Sequence, residues 1–286
     1  MDEFQHISVG GLVGGRLLRV HSGGDGNGAP IVYMHGGLGS IHERPASDEL
    51  VARLGIRLVR IERPGFGAST RHAGRTLADW AGDVAAVLDA LGLARAGMLG
   101  WSGGAPHALA VAALAPARVA AVALVGGGAQ DPNWLFPTDP DELARARSEL
   151  EARTAAMAAL AAKTPIVLLD GMLGRMPEVD RALPGDVRAM FAASYAEALR
   201  TDGGAIDEMT ALRTPWPFDP AAITCLVHLW TGELDQSTPP AGAQRLADVL
   251  PRAQLDIVPG RGHNMMFSDA ERILAALRDE VRTAEA

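Results

Sequence analysis

Between residues 30 and 125, four short and mainly apolar runs alternate with helix-forming stretches, and this rhythm restricts the fold more than any other property of the chain. The runs are Pro30–Met34, Arg57–Ile61, Ala96–Leu99 and Val119–Val125. A strand with apolar residues on both faces must be covered on both, as in a parallel sheet flanked by helices. Strands and helices in strict alternation, joined by right-handed crossovers, build such a sheet. The expected class is therefore α/β, with a mostly parallel, doubly wound sheet.

The flanking segments add an edge and an interruption. Ile7 and Val9, then Arg16 to His21, alternate apolar with polar residues and predict two short antiparallel strands, followed by a flexible turn over Ser22 to Gly28. Helices are expected near residues 43–54 and from an N-cap at Thr76 to about Leu91, with Gly92 as the stop. After Val125 the rhythm ends. Asp139 to Lys163, Asp186 to Arg200 and Ile206 to Arg213 have helical patterns, and strand-like residues occur only at Ile166 to Leu169. This shift predicts an inserted helical cap over residues 131–217, dividing a core of residues 1–130 and 218–286. The alternation resumes with a strand at Thr224–Trp230, a helix from Ala241 to Leu250, a strand at Gln254–Val258 and a closing helix from an N-cap at Ser268 to about Thr283.

Ligands of open α/β sheets gather beyond the carboxyl ends of the strands. The positions just after each expected strand hold His35-Gly36-Gly37, Glu62, Ser102, Asp131, Asp235 and His263. Ser102 is the centre of Gly100-Trp101-Ser102-Gly103-Gly104, a G-x-S-x-G pentad between an apolar run and a helix-forming run. Glycines there let the chain turn sharply around an exposed hydroxyl. Serine is a weak nucleophile and needs a base, and the base needs an acid to fix its tautomer. His263 supplies the base; Asp235 is the preferred acid because it ends a strand and precedes a helix, with Asp131 as its rival.

The chain resembles α/β-hydrolase fold enzymes of the capped serine type. The resemblance rests on His35-Gly36-Gly37, Arg63-Pro64-Gly65-Phe66-Gly67, the Ser102 pentad, Gly232-Glu233-Leu234-Asp235 and Gly260-Arg261-Gly262-His263, in that order along nearly the whole chain. It implies Ser102 as nucleophile, His263 as general base and acid, Asp235 as orienting acid, and an oxyanion hole made by the backbone N–H groups of Gly103 and Gly37, with Leu38 as the alternative to Gly37. Gly103 also opens a helix, whose free N–H groups favour a developing negative charge. A substrate pocket is expected from Leu38, Trp101, Trp134, Phe136, Met172, Met176, Met209 and Met265, each of which also fits a plain core role. His35 and His107 read as structural.

Composition narrows the chemistry further. The only lysine is Lys163, so no phosphate-cradling P-loop exists, and no G-x-G-x-x-G spacing occurs. A net charge of -8 argues against nucleic acid. The single cysteine, Cys225, lies in a strand-like run, is expected to be a buried thiol, and excludes a disulfide framework and multi-cysteine metal sites. No cofactor and no metal are expected. The apolar runs are too short to span a bilayer and the N-terminus carries acids where a secretory signal carries positive charge, so a cytoplasmic monomer or homodimer acting on a small molecule is expected.

The leading expectation is a serine hydrolase of an ester, lactone or similar acyl bond. Carbon–carbon bond hydrolases, iminopeptidases, perhydrolases and natural-product lyases or cyclases share such a triad, although iminopeptidases carry proline where this chain has Leu38. A serine nucleophile argues against epoxide hydrolases and haloalkane dehalogenases, which use aspartate. A non-catalytic ligand receptor is the expectation from another class.

Overall fold

The computed structural model describes residues 4–10, 15–200 and 203–285; Met1 to Glu3 and residues 11–14, parts of the N-terminal reading, lie outside them. In chain order the described elements are β1 (Phe4–Val9), β2 (Arg16–Gly24), β3 (Ala29–Met34), α1 (Asp48–Arg53), β4 (Ile56–Ile61), α2 (Leu77–Ala90), β5 (Ala96–Trp101), α3 (Ala105–Leu114) and β6 (Val119–Val125). Five helices follow without a strand: α4 (Pro140–Lys163), α5 (Pro165–Leu173), α6 (Glu178–Arg181), α7 (Gly185–Ala198) and α8 (Gly204–Leu212). The chain closes with β7 (Val227–Gly232), α9 (Pro240–Val249), β8 (Ala253–Val258), α10 (Met265–Ser268) and α11 (Ala270–Glu285).

The eight strands form one sheet in the order β1-β2-β4-β3-β5-β6-β7-β8. Strand β2 is antiparallel to β1 and β4, and every other pairing is parallel. The expected α/β class with a mostly parallel sheet is what the chain forms. Side chains alternate between faces as the pleat requires. Val32, Met34, Met98, Val122 and Leu124 pack with α2, α3 and α9 through Trp80, Leu109 and Leu246. Ile31, Tyr33, Leu99, Ala123 and Val125 pack with α1 and α11 through Val51, Ile273 and Leu277.

Local signals set several boundaries. Thr76 caps α2 in a reciprocal arrangement: its hydroxyl accepts from Asp79 N, and the Asp79 carboxylate accepts from Thr76 N at 2.8 Å. Asp139 caps α4 through Asp141 N and Glu142 N at 3.1 and 3.0 Å.

Four expectations need correction. Ile166 to Leu169 is helical, within α5, because Pro165 opens a helix there and the helical period turns Leu168, Leu169 and Leu173 inward while Ile166 and Val167 stay exposed. The turn expected over Ser22–Gly28 begins later, since β2 runs on to Gly24 and pairs with Arg57 of β4. Strand β7 begins at Val227, which leaves Cys225 in a bend and only half-buried. Ser268 ends α10; Asp269, whose carbonyl accepts from Ile273 N at 3.1 Å, stands at the start of α11.

Helices α4 to α8 are inserted between β6 and β7 and are tied to the loops that follow the strands. Ser194 of α7 accepts from Ser40 N at 2.8 Å, Asp180 of α6 accepts from Asn264 N at 2.6 Å, and Glu208 of α8 pairs with Arg63 at 3.0 Å. The insertion thereby sits over the carboxyl ends of β3, β4 and β8.

Candidate active site

Strand β5 ends at Trp101, and the chain turns through a single 3-10 turn, Ser102–Gly104, into α3. Ser102 has φ 52°, and it is the sole non-glycine residue with positive φ among the described residues. A non-glycine residue held there stores about 1–3 kcal/mol of strain, which only surrounding structure can maintain. The glycines make the turn fit. A Cβ on Gly104 would lie 2.1 Å from Met34 O, and one on Gly103 would lie 2.6 Å from Gly37 N, so the turn packs directly on β3 and on the loop after it.

The loops after β7 and β8 bring two further groups to this serine. His263 Nε2 lies 2.8 Å from Ser102 Oγ, and His263 Nδ1 lies 2.8 Å from Asp235 Oδ2. The same carboxylate accepts from Ser237 N at 2.8 Å, from Thr238 N at 2.9 Å and from the Thr238 hydroxyl at 2.8 Å. Burial works to raise the Asp235 carboxyl, yet the hydrogen bond and charge of His263 and the Thr238 contacts outweigh it and hold the group below the usual range. An ionised Asp235 beside Nδ1 keeps that nitrogen protonated and leaves Nε2 as the basic atom facing Ser102. Asp131, the rival acid, is exposed and lines the same cavity as Ser102, but its carboxylate accepts from Asn133 N at 2.9 Å at the start of a 3-10 turn, and the carboxylate that meets His263 Nδ1 is that of Asp235.

The loop after β3 is anchored from beneath. The Arg63 guanidinium donates to the carbonyls of His35 and Gly36 at 2.7 and 2.5 Å. Gly36 C=O and Gly37 N–H belong to one peptide group, and no described peptide bond is cis, so a hold on that carbonyl also sets the direction of the Gly37 N–H. Arg63 is itself paired with Glu208 of α8 at 3.0 Å, both side chains being fully buried, and Arg75 reaches the same carboxylate at 2.5 Å. Burial alone would raise the Glu208 carboxyl, but Arg63, His107 and Arg75 overrule it and hold it at about 2. His107, from α3, contacts Gly103 O at 2.9 Å and lies 3.5 Å from Glu208. Burial pushes its imidazole down to about 3 despite that carboxylate, so the contact is not an ion pair at neutral pH. On the other side of the loop, Glu43 accepts from Gly36 N at 2.7 Å and from the Tyr33 hydroxyl at 2.8 Å, and burial raises its carboxyl to about 7 against both hydrogen bonds. His35, also neutral through burial, contacts Gly36 O at 2.9 Å, in keeping with a structural role.

Ser102, Gly37 and Gly103 line a cavity of about 620 Å³, with Trp134, Met209 and Trp216 among its walls. Leu38 and Met172 line a second cavity of about 500 Å³, and Trp134 and Met209 belong to both. The other expected pocket residues line neither. Trp101 shares its sheet face with Leu99, packs at a tilt against Phe191 and edge-to-face against Phe267 at centroid distances of 5.5 and 5.0 Å, and donates its indole N–H to His263 O at 3.1 Å. Met265 is buried in the same cluster and Met176 packs against it, while Phe136 lies under the Arg213 guanidinium at 4.2 Å.

Sequence reasoning missed Gly126, where a Cβ would stand 3.0 Å from His263 Nδ1; its signal was the Gly126-Gly127-Gly128 run after β6. It also missed Trp216 and Glu208, which carry no local signal. Among the described residues no group of three or more His, Cys, Asp or Glu side chains could hold a metal ion, and no helix is long and apolar enough to cross a membrane.

Comparison with known proteins agrees with this architecture. Residues 29–270 match the alpha/beta hydrolase fold family. The dihydrolipoyllysine-residue acetyltransferase component of the acetoin cleaving system of Pseudomonas putida is 29% identical over 268 residues, covering 91% of this chain and 65% of that protein. The chain thus spans less than two thirds of that relative's length. A 2-hydroxy-6-oxononadienedioate/2-hydroxy-6-oxononatrienedioate hydrolase of Burkholderia vietnamiensis is 33% identical over 132 residues, 43% of this chain and 45% of that one. Among solved structures, a thermophilic esterase from Thermogutta terrifontis superposes with a TM-score of 0.73 at 21% identity, covering 99% of this chain and all of the other.

Proposed function

The chain belongs to the alpha/beta hydrolase fold family, and from that premise we propose that it is a serine hydrolase cleaving an ester, lactone or similar acyl bond of a small, largely apolar molecule. The observation that carries the reading is the unbroken line of contacts from Ser102 Oγ through His263 to Asp235, each 2.8 Å long, opening on a cavity. In this scheme His263 Nε2 takes the Ser102 proton as Oγ adds to the substrate carbonyl. The N–H groups of Gly103 and Gly37 receive the oxyanion, each donor lowering the barrier by about 3 kcal/mol. Collapse breaks the acyl C–O bond; the alcohol leaves with the proton from His263, and Ser102 carries the acyl group. Water, deprotonated by the same imidazole, then releases the acid and restores the serine. The insertion α4 to α8 acts as a cap whose walls select the substrate.

Fluorophosphonate labelling followed by peptide mass mapping tests the assignment. Ser102 is expected to carry the label, and Ser102→Ala to lower turnover of a p-nitrophenyl ester by roughly 10⁴- to 10⁶-fold. An unlabelled Ser102 in folded protein, or activity surviving in the purified variant, refutes it. The Burkholderia likeness favours carbon–carbon bond hydrolysis as a second reading. Turnover of a 2-hydroxy-6-oxo-dienoate well above that of simple esters would select it.

A further inference from the structure

The second cavity, lined by Leu38 and Met172, has a charge unlike the rest of the chain. The chain carries a net charge of -8, yet Arg153, Arg175 and Arg213 all line this cavity and no Asp or Glu does. Its remaining walls are largely apolar, with Met157, Leu168 and Leu199 beside Leu38 and Met172. It adjoins the Ser102 cavity: Gly37 lines one and Leu38 the other, and Trp134 and Met209 belong to the walls of both.

The three guanidiniums differ in how they are held. Arg213 is oriented: its Nε donates to Trp134 O at 3.0 Å and its plane lies 4.2 Å from the Phe136 ring centre. It has no carboxylate partner among the described residues. Arg153 of α4 and Arg175, just after α5, are exposed and likewise have no acidic partner among the described residues. An apolar cavity whose walls carry three cations, with no acidic partner among the described residues, matches a ligand with an apolar stem and an anionic end.

We propose that this cavity binds the far end of the substrate, and that the substrate is an acyl compound whose chain ends in a carboxylate. The proposal rests on the assignment of Ser102 as nucleophile only for which bond is cut. The reacting carbonyl lies at Ser102, the hydrocarbon passes Trp134 and Met209 and follows the methionine-lined wall, and the terminal carboxylate meets the arginines. Methionine side chains along that path adapt to chains of differing length.

Two measurements test this independently. Mono-p-nitrophenyl esters of a series of α,ω-dicarboxylic acids are compared with the same esters capped as methyl esters at the distal carboxyl. The free carboxylate is expected to raise kcat/KM by about tenfold to a hundredfold at low salt, as a charge-assisted contact does. The advantage should shrink as salt rises and be largely lost in the Arg153→Gln/Arg175→Gln/Arg213→Gln variant. Binding of the free diacids to Ser102→Ala protein, measured by calorimetry, asks the same question without turnover. Diacids should bind about tenfold or more tightly than their monomethyl esters, and Arg213→Gln alone, or Arg153→Gln/Arg175→Gln, should weaken them. Equal binding of diacid and capped ester, or binding unaffected by loss of all three arginines in folded protein, overturns the proposal. Tight, arginine-dependent diacid binding without cleavage of any ester would uphold it and sink the serine hydrolase reading instead.

Discussion

The buried carboxylate of Glu208 offers the most demanding test of how the insertion supports the site. Glu208→Gln preserves shape but removes the charge that faces Arg63 and Arg75, all three side chains being within 1% of full burial. Breaking a buried pair by removing one partner costs about 3–5 kcal/mol, because the surviving charge is left uncompensated. Linkage gives a similar size. A carboxyl moved from 4.5 down to about 2 in the folded protein contributes roughly 3 kcal/mol at neutral pH. At about 2 °C per kcal/mol for a chain of this size, the melting temperature should fall by roughly 6–10 °C.

The sign of the pH dependence separates charge from packing. A depressed carboxyl stabilises the fold above its unfolded value, and that contribution is lost as pH falls through the folded value. Urea unfolding should therefore show the full deficit of Glu208→Gln at pH values above 4.5 and a shrinking deficit as pH falls toward 2. A variant within about 1 kcal/mol of wild type at pH 7, or one whose deficit is the same near pH 3, would refute the reasoning. Activity adds a second reading. Arg63 sets the direction of the Gly37 N–H through the Gly36 carbonyl, so a loosened Arg63 should lower kcat while KM changes little. A stability loss with unchanged kcat would show that Glu208 supports the fold without supporting the proposed oxyanion hole.

Further expectations concern the site and its supports. Asp235→Asn should keep the fold and lower kcat by about 10⁴-fold, because the amide no longer enforces the Nδ1–H tautomer of His263; steady-state kinetics with circular dichroism checks both halves. Ser102→Gly should be more stable than Ser102→Ala by about 1 kcal/mol, since glycine alone accepts φ 52° without strain, and paired urea melts would expose the opposite order. Glu43 works in the reverse sense to Glu208. Its carboxyl is raised from 4.5 to about 7, so wild-type stability should decline by roughly 3 kcal/mol as pH rises across that interval. Glu43→Gln should remove the decline, and an unchanged pH profile would count against it.

The sheet was legible because its strands are buried on both faces, which leaves runs such as Ile31-Val32-Tyr33-Met34 with little other use. The same criterion failed at Ile166 to Leu169: a four-residue apolar run cannot reveal that it follows a helix-opening proline and lacks a strand to pair with. That Ser102, Asp235 and His263 come together was legible for a related reason, since each follows a strand and the carboxyl ends of parallel strands converge. Proximity in sequence misled where direction mattered. Trp101 adjoins Ser102, yet strand alternation assigns it to the face of Leu99, so it braces the His263 loop instead of walling the cavity.

Glu208, Trp216 and the three cavity arginines come from the insertion and its exit, where helix pattern shows which residues are polar but not what they meet. Their partners are fixed by packing between segments far apart in sequence; Arg63 and Glu208 are separated by 145 positions. Under the proposed function, that separation gives the insertion a part in the chemistry as well as in selection. Helix α8 delivers Met209 to both cavities and, one residue earlier, the carboxylate that anchors Arg63 beneath the Gly36–Gly37 peptide. A displacement of α8 that widened the cavity would move Glu208 with it and disturb the same peptide. Substitutions that enlarge the pocket at Met209 should therefore change kcat as well as substrate preference, whereas truncations at Met172, which lines only the second cavity, should change preference alone. Acyl-chain profiles of Met209→Ala and Met172→Ala, read as kcat and KM separately, distinguish the two, and equal kcat in both variants would reject the coupling.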